Sequence, residues 1–233
     1  MATTKVELIP WDPESPDQIA RLVVHREECG WHAEKVASEW ADKQRAGTKC
    51  IYWIVYHSDG SADFNAAMQK HLAKHPSDKT LLVDTSKSLR GTPRVPSGAQ
   101  FHPVGHISLD SENPDAAAFG VKAPLTDAWW IKSLYVFLEL RSFGIARSAM
   151  DQVESQAVNE PLNARHLMLD TGFKEDVKNP SLGPLFYGQI PPLTPHEWYE
   201  RRGYRVIQIV KDMYKLDDKD MGMRTVILQR DVV

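Results

Sequence analysis

Arg141, Gly144, Ala146 and Arg147 fall in one short stretch, Arg141-Ser142-Phe143-Gly144-Ile145-Ala146-Arg147. The residue types suit a phosphate group. Small residues at 144 and 146 let oxygens approach the backbone, and two guanidinium groups bracket the turn. A helix that starts here adds backbone N–H groups without intrahelical partners, together with the positive end of its dipole. Phosphate binds readily at such a terminus. The same residues could also form an ordinary strand-to-helix corner with surface arginines, so the setting decides.

That setting is a strand, a tight turn and a helix without a gap. Trp129-Trp130-Ile131-Lys132-Ser133-Leu134-Tyr135-Val136-Phe137 has the aromatic and aliphatic content of a buried strand. From Ile145 to Val158 the pattern becomes helical. Ile145, Ala149, Met150, Val153 and Ala157 mark one face, and Arg147, Ser148, Asp151, Glu154 and Ser155 the other.

Leu134-Tyr135-Val136 followed by Arg141-x-x-Gly144-Ile145-Ala146 resembles the coenzyme A signature of the GNAT acyltransferase superfamily. Trp198-Tyr199-Glu200-Arg201-Arg202-Gly203-Tyr204 resembles that superfamily's later helix, and a strand-like Leu167-Met168-Leu169-Asp170 lies between the two blocks in the expected order. The likeness is specific from about residue 128 to 210 and topological before that. It implies an α/β (α+β) GNAT fold: a mixed, mostly antiparallel sheet of six to seven strands, flanked by helices and splayed between its fourth and fifth strands.

The resemblance also implies an activity, transfer of an acetyl group from acetyl-CoA to a primary amine by direct attack. It places Leu134, Tyr135 and Val136 along the pantetheine arm, and Arg141, Ser142, Phe143, Gly144, Ile145, Ala146 and Arg147 around the pyrophosphate. Tyr199, four residues before Gly203, takes the family's general-acid position at the departing sulfur. The base is open. Many members carry a glutamate early on the cofactor strand, where this chain has Trp129 and Trp130. Asp170 and His106 are the substitutes, acting through water. A strand-end cap and a hydrogen-bonded core histidine are the structural alternatives, and direct proton loss to water is a third route. Leu138 replaces the family's usual proline, and Pro192 stands near its usual asparagine.

The 233 residues are 42% hydrophobic, enough for one domain over 1–233 with insertions at about 58–101 and 172–193. A net charge of -3 without a basic stripe argues against nucleic acid and anionic membrane partners. Short apolar runs and the absence of a signal-like start suggest a cytoplasmic protein. Bulky insertions and near-neutral charge favour a small-molecule amine as acceptor. A protein or peptide N-acetyltransferase and a non-catalytic CoA-binding module are the rivals, and a homodimer is among the states allowed. Trp31, Trp53, Trp129, Trp130, Phe186 and Tyr187 are candidates for an aromatic acceptor wall. Cys29 and Cys50 lack metal-ligand spacing and read as reduced and mostly buried. His71 and His75, at i,i+4 on an inserted helix, read as a solvated face, so no metal is expected.

The remaining chain supplies the scaffold. Strands are expected at Val6–Ile9, Thr48–His57, Val104–Leu109, Arg165–Asp170, Tyr204–Val210 and Arg224–Gln229, the last two joined through Asp217-Asp218 and Gly222. Helices are expected at Asp17–Glu28, Ala33–Arg45 and Asp63–Lys74, with Gly47 closing the second. Asp59-Gly60 reads as part of an insertion. Thr80–Asp84 is a short strand or packed loop, Lys87–Gln100 a mobile loop, Ser111–Pro124 a linker, and Gly172–Leu193 an irregular packed lid. Thr194, Pro195 and Glu197 should cap the late helix.

Overall fold

A computed structural model describes residues 5–57, 60–124, 126–215 and 222–232. Asp59, Asp217 and Asp218 lie outside these residues. Seven strands form the main sheet: β1 (Val6–Pro10), β2 (Lys49–Tyr56), β3 (Pro103–Asp110), β4 (Ala128–Val136), β5 (His166–Gly172), β6 (Arg205–Lys215) and β7 (Gly222–Asp231). Their order is β1-β2-β3-β4-β5-β7-β6. β1–β2, β2–β3, β5–β7 and β6–β7 pair antiparallel. β4 and β5 pair parallel over three positions, from Ala128↔His166 to Trp130↔Met168. The mixed, mostly antiparallel seven-stranded sheet agrees with the expected class.

The chain divides into two compact units, Met1–Ser111 with Ile131–Gln156, and Glu112–Trp130 with Ala157–Val233. In the first unit, α1 (Pro16–Cys29) begins at Ser15, whose side chain accepts from the Gln18 N–H, and ends at Gly30 with φ 81°. The expected helix over Ala33–Arg45 is broken into a 3-10 turn (Ala33–Lys35), a π turn (Val36–Trp40) and α2 (Ala41–Ala46). Val36 and Trp40 join Ile9, Trp11, Leu22, Ile51 and Trp53 in the core. α3 (Ala62–Lys74) matches the expected insertion helix.

The stretch after α3 is more ordered than its composition suggested. Leu82–Val83 pairs with Gln100–Phe101, and Ser88–Leu89 pairs with Thr92–Pro93. Arg94 grips Asp84 through two bonds of 2.7 Å, and the Ser97 backbone and hydroxyl donate to the same carboxylate. Burial would raise the Asp84 carboxyl, but these donors bring it down to about 2. The expected mobile loop is therefore pinned, because an acidic residue upstream satisfies it.

In the second unit, Ala116, Val121, Trp130, Met168, Val210, Met213 and Ile227 form a core. The expected linker holds α4 (Pro114–Ala118), capped by the Asn113 side chain, so Asn113-Pro114 opens a helix. The expected irregular lid contains α6 (Lys174–Lys178) and α7 (Gly183–Tyr187). α8 (Pro195–Arg201) has the predicted capping box between Thr194 and Glu197. α5 (Ile145–Val158), which lies in the first unit up to Gln156, buries the predicted apolar face; Glu154, assigned to the polar face, is also buried.

Candidate active site

β4 is the element around which the first unit's candidate groups collect. Its interior carries a departure that composition did not reveal: Ser133 sits at φ 55°, a left-handed residue inside the strand. Such a residue interrupts the pleat and turns neighbouring backbone groups. Two features of β3 hold the deformation. The Nδ1–H of His106 donates to the Ser133 carbonyl at 2.7 Å. Gly105 admits the close approach of the two strands, since a Cβ there would lie 2.1 Å from the Tyr135 carbonyl oxygen. The Val-Gly-x-Ile pattern contained this requirement, but only the structure shows what presses on the glycine.

His106 is completely buried, and among the described residues its Nε2 has no hydrogen-bond partner. Burial first, then the nearby Arg26 charge, hold its pKa well below the ordinary histidine range. A neutral ring with Nδ1 committed to Ser133 positions the strand. It has the surroundings of a core histidine, the structural alternative to a base.

After β4 the chain makes a 3-10 turn at Leu138–Leu140 and enters the arginine-bracketed corner. Leu140 is fully buried. Arg141 Nε donates to the Val136 carbonyl at 3.2 Å, which folds the side chain back along the strand. Ser142 and Gly144 take φ values of 76° and 78°. Both are exposed, and the space a Cβ would take at Gly144 is open to 4 Å. Phe143 packs edge-on against Phe64 of α3 at 5.3 Å. The insertion helix therefore backs the corner. α5 then begins at Ile145, and its Ser148 N–H bonds to the Gly144 carbonyl at 3.0 Å. Leu134, Tyr135, Val136 and the corner from Arg141 to Arg147 are thus one continuous feature of the first unit.

Asp170 and Tyr199 belong to the second unit. The Asp170 carboxylate accepts from Asn113 Nδ2 at 3.0 Å and from the Tyr214 hydroxyl at 2.8 Å. Neither donor was identified from the sequence, because both are far from Asp170 along the chain. Tyr199 lies on α8, 9% exposed, with Trp198 and Tyr204 rings edge-on at 5.0 and 5.9 Å.

Other expectations are corrected. Trp53 and Trp130 are 0% and 3% exposed and belong to separate cores, so they do not join one aromatic wall. His71 is fully buried, so its helix face is not simply solvated. Cys50 is buried, and burial pushes its thiol up to about 11, as suits an unreactive cysteine. No described helix is long and apolar enough to cross a membrane.

Comparison with solved structures identifies the fold. Arabidopsis thaliana NAA60 in complex with acetyl-CoA aligns with a TM-score of 0.53 at 11% identity, covering 97% of this chain and 98% of that one. A Desulfovibrio desulfuricans structure described as an acetyltransferase of the GNAT family aligns with a TM-score of 0.50 at 13% identity over 98% and 99%. The aminoglycoside 6'-N-acetyltransferase from Enterococcus faecium gives 0.51 at 10% identity over 97% of each chain. No protein-family model and no curated protein matches the sequence. The chain has the GNAT acetyltransferase fold.

Proposed function

We propose that the protein is an acetyl-CoA-dependent N-acetyltransferase whose acceptor is a small-molecule primary amine. The observation that carries this reading is the exposed corner at Gly144. Its left-handed backbone leaves open space at the head of a 14-residue helix, directly downstream of a deformed strand. These residues fit a coenzyme: backbone N–H groups from Ser142 to Arg147 would meet its pyrophosphate, and the Leu134–Val136 backbone its pantetheine arm. When bound, acetyl-CoA supplies an activated thioester.

The protein's own groups then have distinct tasks. The Ser133 deformation aims β4 backbone donors, one of which can serve the oxyanion at about 3 kcal/mol. His106 and Gly105 keep that deformation in place. By the family resemblance, the Tyr199 hydroxyl would supply the proton to the leaving sulfur. Asp170, oriented by the Asn113 amide and the Tyr214 hydroxyl, would be the base that draws a proton from the amine through water. The aminoglycoside enzyme of like fold supports a small-molecule acceptor, as do the bulky insertions.

Thiol release measured with acetyl-CoA across polyamines, aminoglycosides, arylalkylamines and N-terminal peptides tests the reading. Turnover with a small amine exceeding that with every peptide is expected. Preference for a peptide would move the assignment to protein N-acetylation. Coenzyme binding without turnover on any amine would favour a CoA-binding module.

A further inference from the structure

We propose that His71, His75 and Glu139 form a binding site for a divalent transition metal, with zinc as the best match. One donor atom from each residue lies within 4.8 Å of the others. Three buried atoms in this cluster, His71 Nδ1, His75 Nε2 and Glu139 Oε2, have no hydrogen-bond partner among the described residues. Buried polar atoms are ordinarily satisfied, and three potential ligand atoms left unsatisfied in one place suit a cation.

The geometry around His71 resembles the support of a metal ligand. Its Nε2 lies 2.8 Å from Asp78 Oδ2, and a carboxylate acceptor puts the ring proton on that nitrogen. The Nδ1 lone pair is then left facing Glu139 Oε2 at 3.9 Å. Two acceptors face each other there, an arrangement that a cation relieves. Asp78 is 1% exposed and its other oxygen is held by Arg21 Nε at 3.3 Å. A buried carboxylate that fixes the tautomer of a ligating histidine is a common outer partner in zinc sites. Lys74 Nζ sits 3.2 Å from Glu139 Oε1, the opposite oxygen, and 3.3 Å from Glu28. It leaves Oε2 to the histidines.

Two imidazoles and one carboxylate suit zinc and exclude magnesium, which requires oxygen ligands. Tetrahedral ligands at about 2.1 Å from zinc stand about 3.4 Å apart, so the cluster must close by roughly an ångström. His75 can move, being at the rim with its side chain 10% exposed. Glu28 Oε1, 3.6 Å from His75 Nε2, can take the fourth position, or water can. Phe137 walls the cluster, its ring 4.1 Å from that of His71. A bound ion would clamp α3 to the turn that leads into the Gly144 corner. This site stands independently of the proposed reaction.

Calorimetric titration of zinc chloride into chelator-treated full-length protein tests the site, with magnesium chloride as the control. One zinc per chain and no magnesium uptake are expected, together with a zinc-dependent rise in melting temperature. His75→Ala and Glu139→Gln should each weaken zinc binding at least tenfold, and Asp78→Asn by about ten- to a hundredfold. Cobalt(II) provides a reading on the wild-type chain alone, through the visible bands of a tetrahedral site. Absence of zinc uptake by folded wild type, or a cobalt spectrum of an octahedral aquo ion, would overturn the proposal. Unchanged zinc affinity in folded His75→Ala and Glu139→Gln proteins would do so as well.

Discussion

Gly105→Ala is the substitution by which the structure can be tested most sharply. The added Cβ would lie 2.1 Å from the Tyr135 carbonyl oxygen and 3.1 Å from Val136 Cα, both backbone atoms. Reaching even a tight contact of about 3 Å needs a movement of about 0.9 Å. No side-chain rotation can supply it. Either β3 or β4 must shift, and β4 carries the Ser133 deformation and the Leu134–Val136 backbone. Overpacking costs about 1–3 kcal/mol, and a backbone neighbour places this case in the upper part of that range. For a chain of this size, 2–3 kcal/mol lowers the melting temperature by about 4–12 °C. Acetyl-CoA affinity should fall at least tenfold, because the displaced segment is the one assigned to the pantetheine arm. Thermal unfolding and calorimetric titration read the two effects separately. Gly98→Ala is the control, since its Cβ would meet nothing within 4 Å and only its φ of 67° opposes a side chain. A Gly105→Ala protein that melts with wild type and binds acetyl-CoA equally well would refute the reasoning about both strands.

Further consequences are equally specific. Burial lowers the pKa of both His25 and His106. Below about pH 6.5 the unfolded chain takes up protons that the native state refuses, so stability is lost as pH falls. The two rings together give a slope of up to about 2.7 kcal/mol per pH unit. Burial lowers His102 and His196 as well, so urea unfolding between pH 7.5 and 5 should show a slope smaller by up to about 1.4 kcal/mol per pH unit in His106→Gln; an unchanged slope would count against a buried neutral His106. Thr194→Ala removes the hydroxyl that accepts from the Glu197 N–H at 3.2 Å and should cost about 1 kcal/mol, read by denaturant unfolding. Tyr199→Phe should lower kcat about a hundredfold or more while acetyl-CoA affinity changes little. Equal loss of affinity would instead assign Tyr199 to packing.

The parts of the molecule that local pattern controls were legible from the chain. Alternation and apolar content located the seven main-sheet strands, and the 3.6-residue period fixed the buried face of α5. The capping signals at Thr194, Pro195 and Glu197 act over a single helical turn, so they could be read directly. What escaped notice depends on partners distant in sequence. The loop at 87–100 looked free because its anchor, Asp84, precedes it. Asp170 gave no hint of Asn113 and Tyr214. Ser133 has no composition that announces a left-handed residue; the bond from His106 and the close approach at Gly105 hold it, and both come from another strand. The spacing of His71 and His75 was legible, but the pair read as a solvated face, whereas His71 is buried. Glu139, which makes them a cluster, lies more than sixty residues away and meets them through tertiary packing.

The central claim is that the corner at Gly144 holds the coenzyme, and calorimetric titration of acetyl-CoA into wild type and Gly144→Asn tests it most directly. Asparagine tolerates the left-handed backbone better than other side chains, so the fold should survive. Its side chain would fill the space now open at the head of α5. Micromolar binding by wild type that is lost in a folded Gly144→Asn protein is the predicted result. Equal binding by both, or none by wild type, would contradict the account.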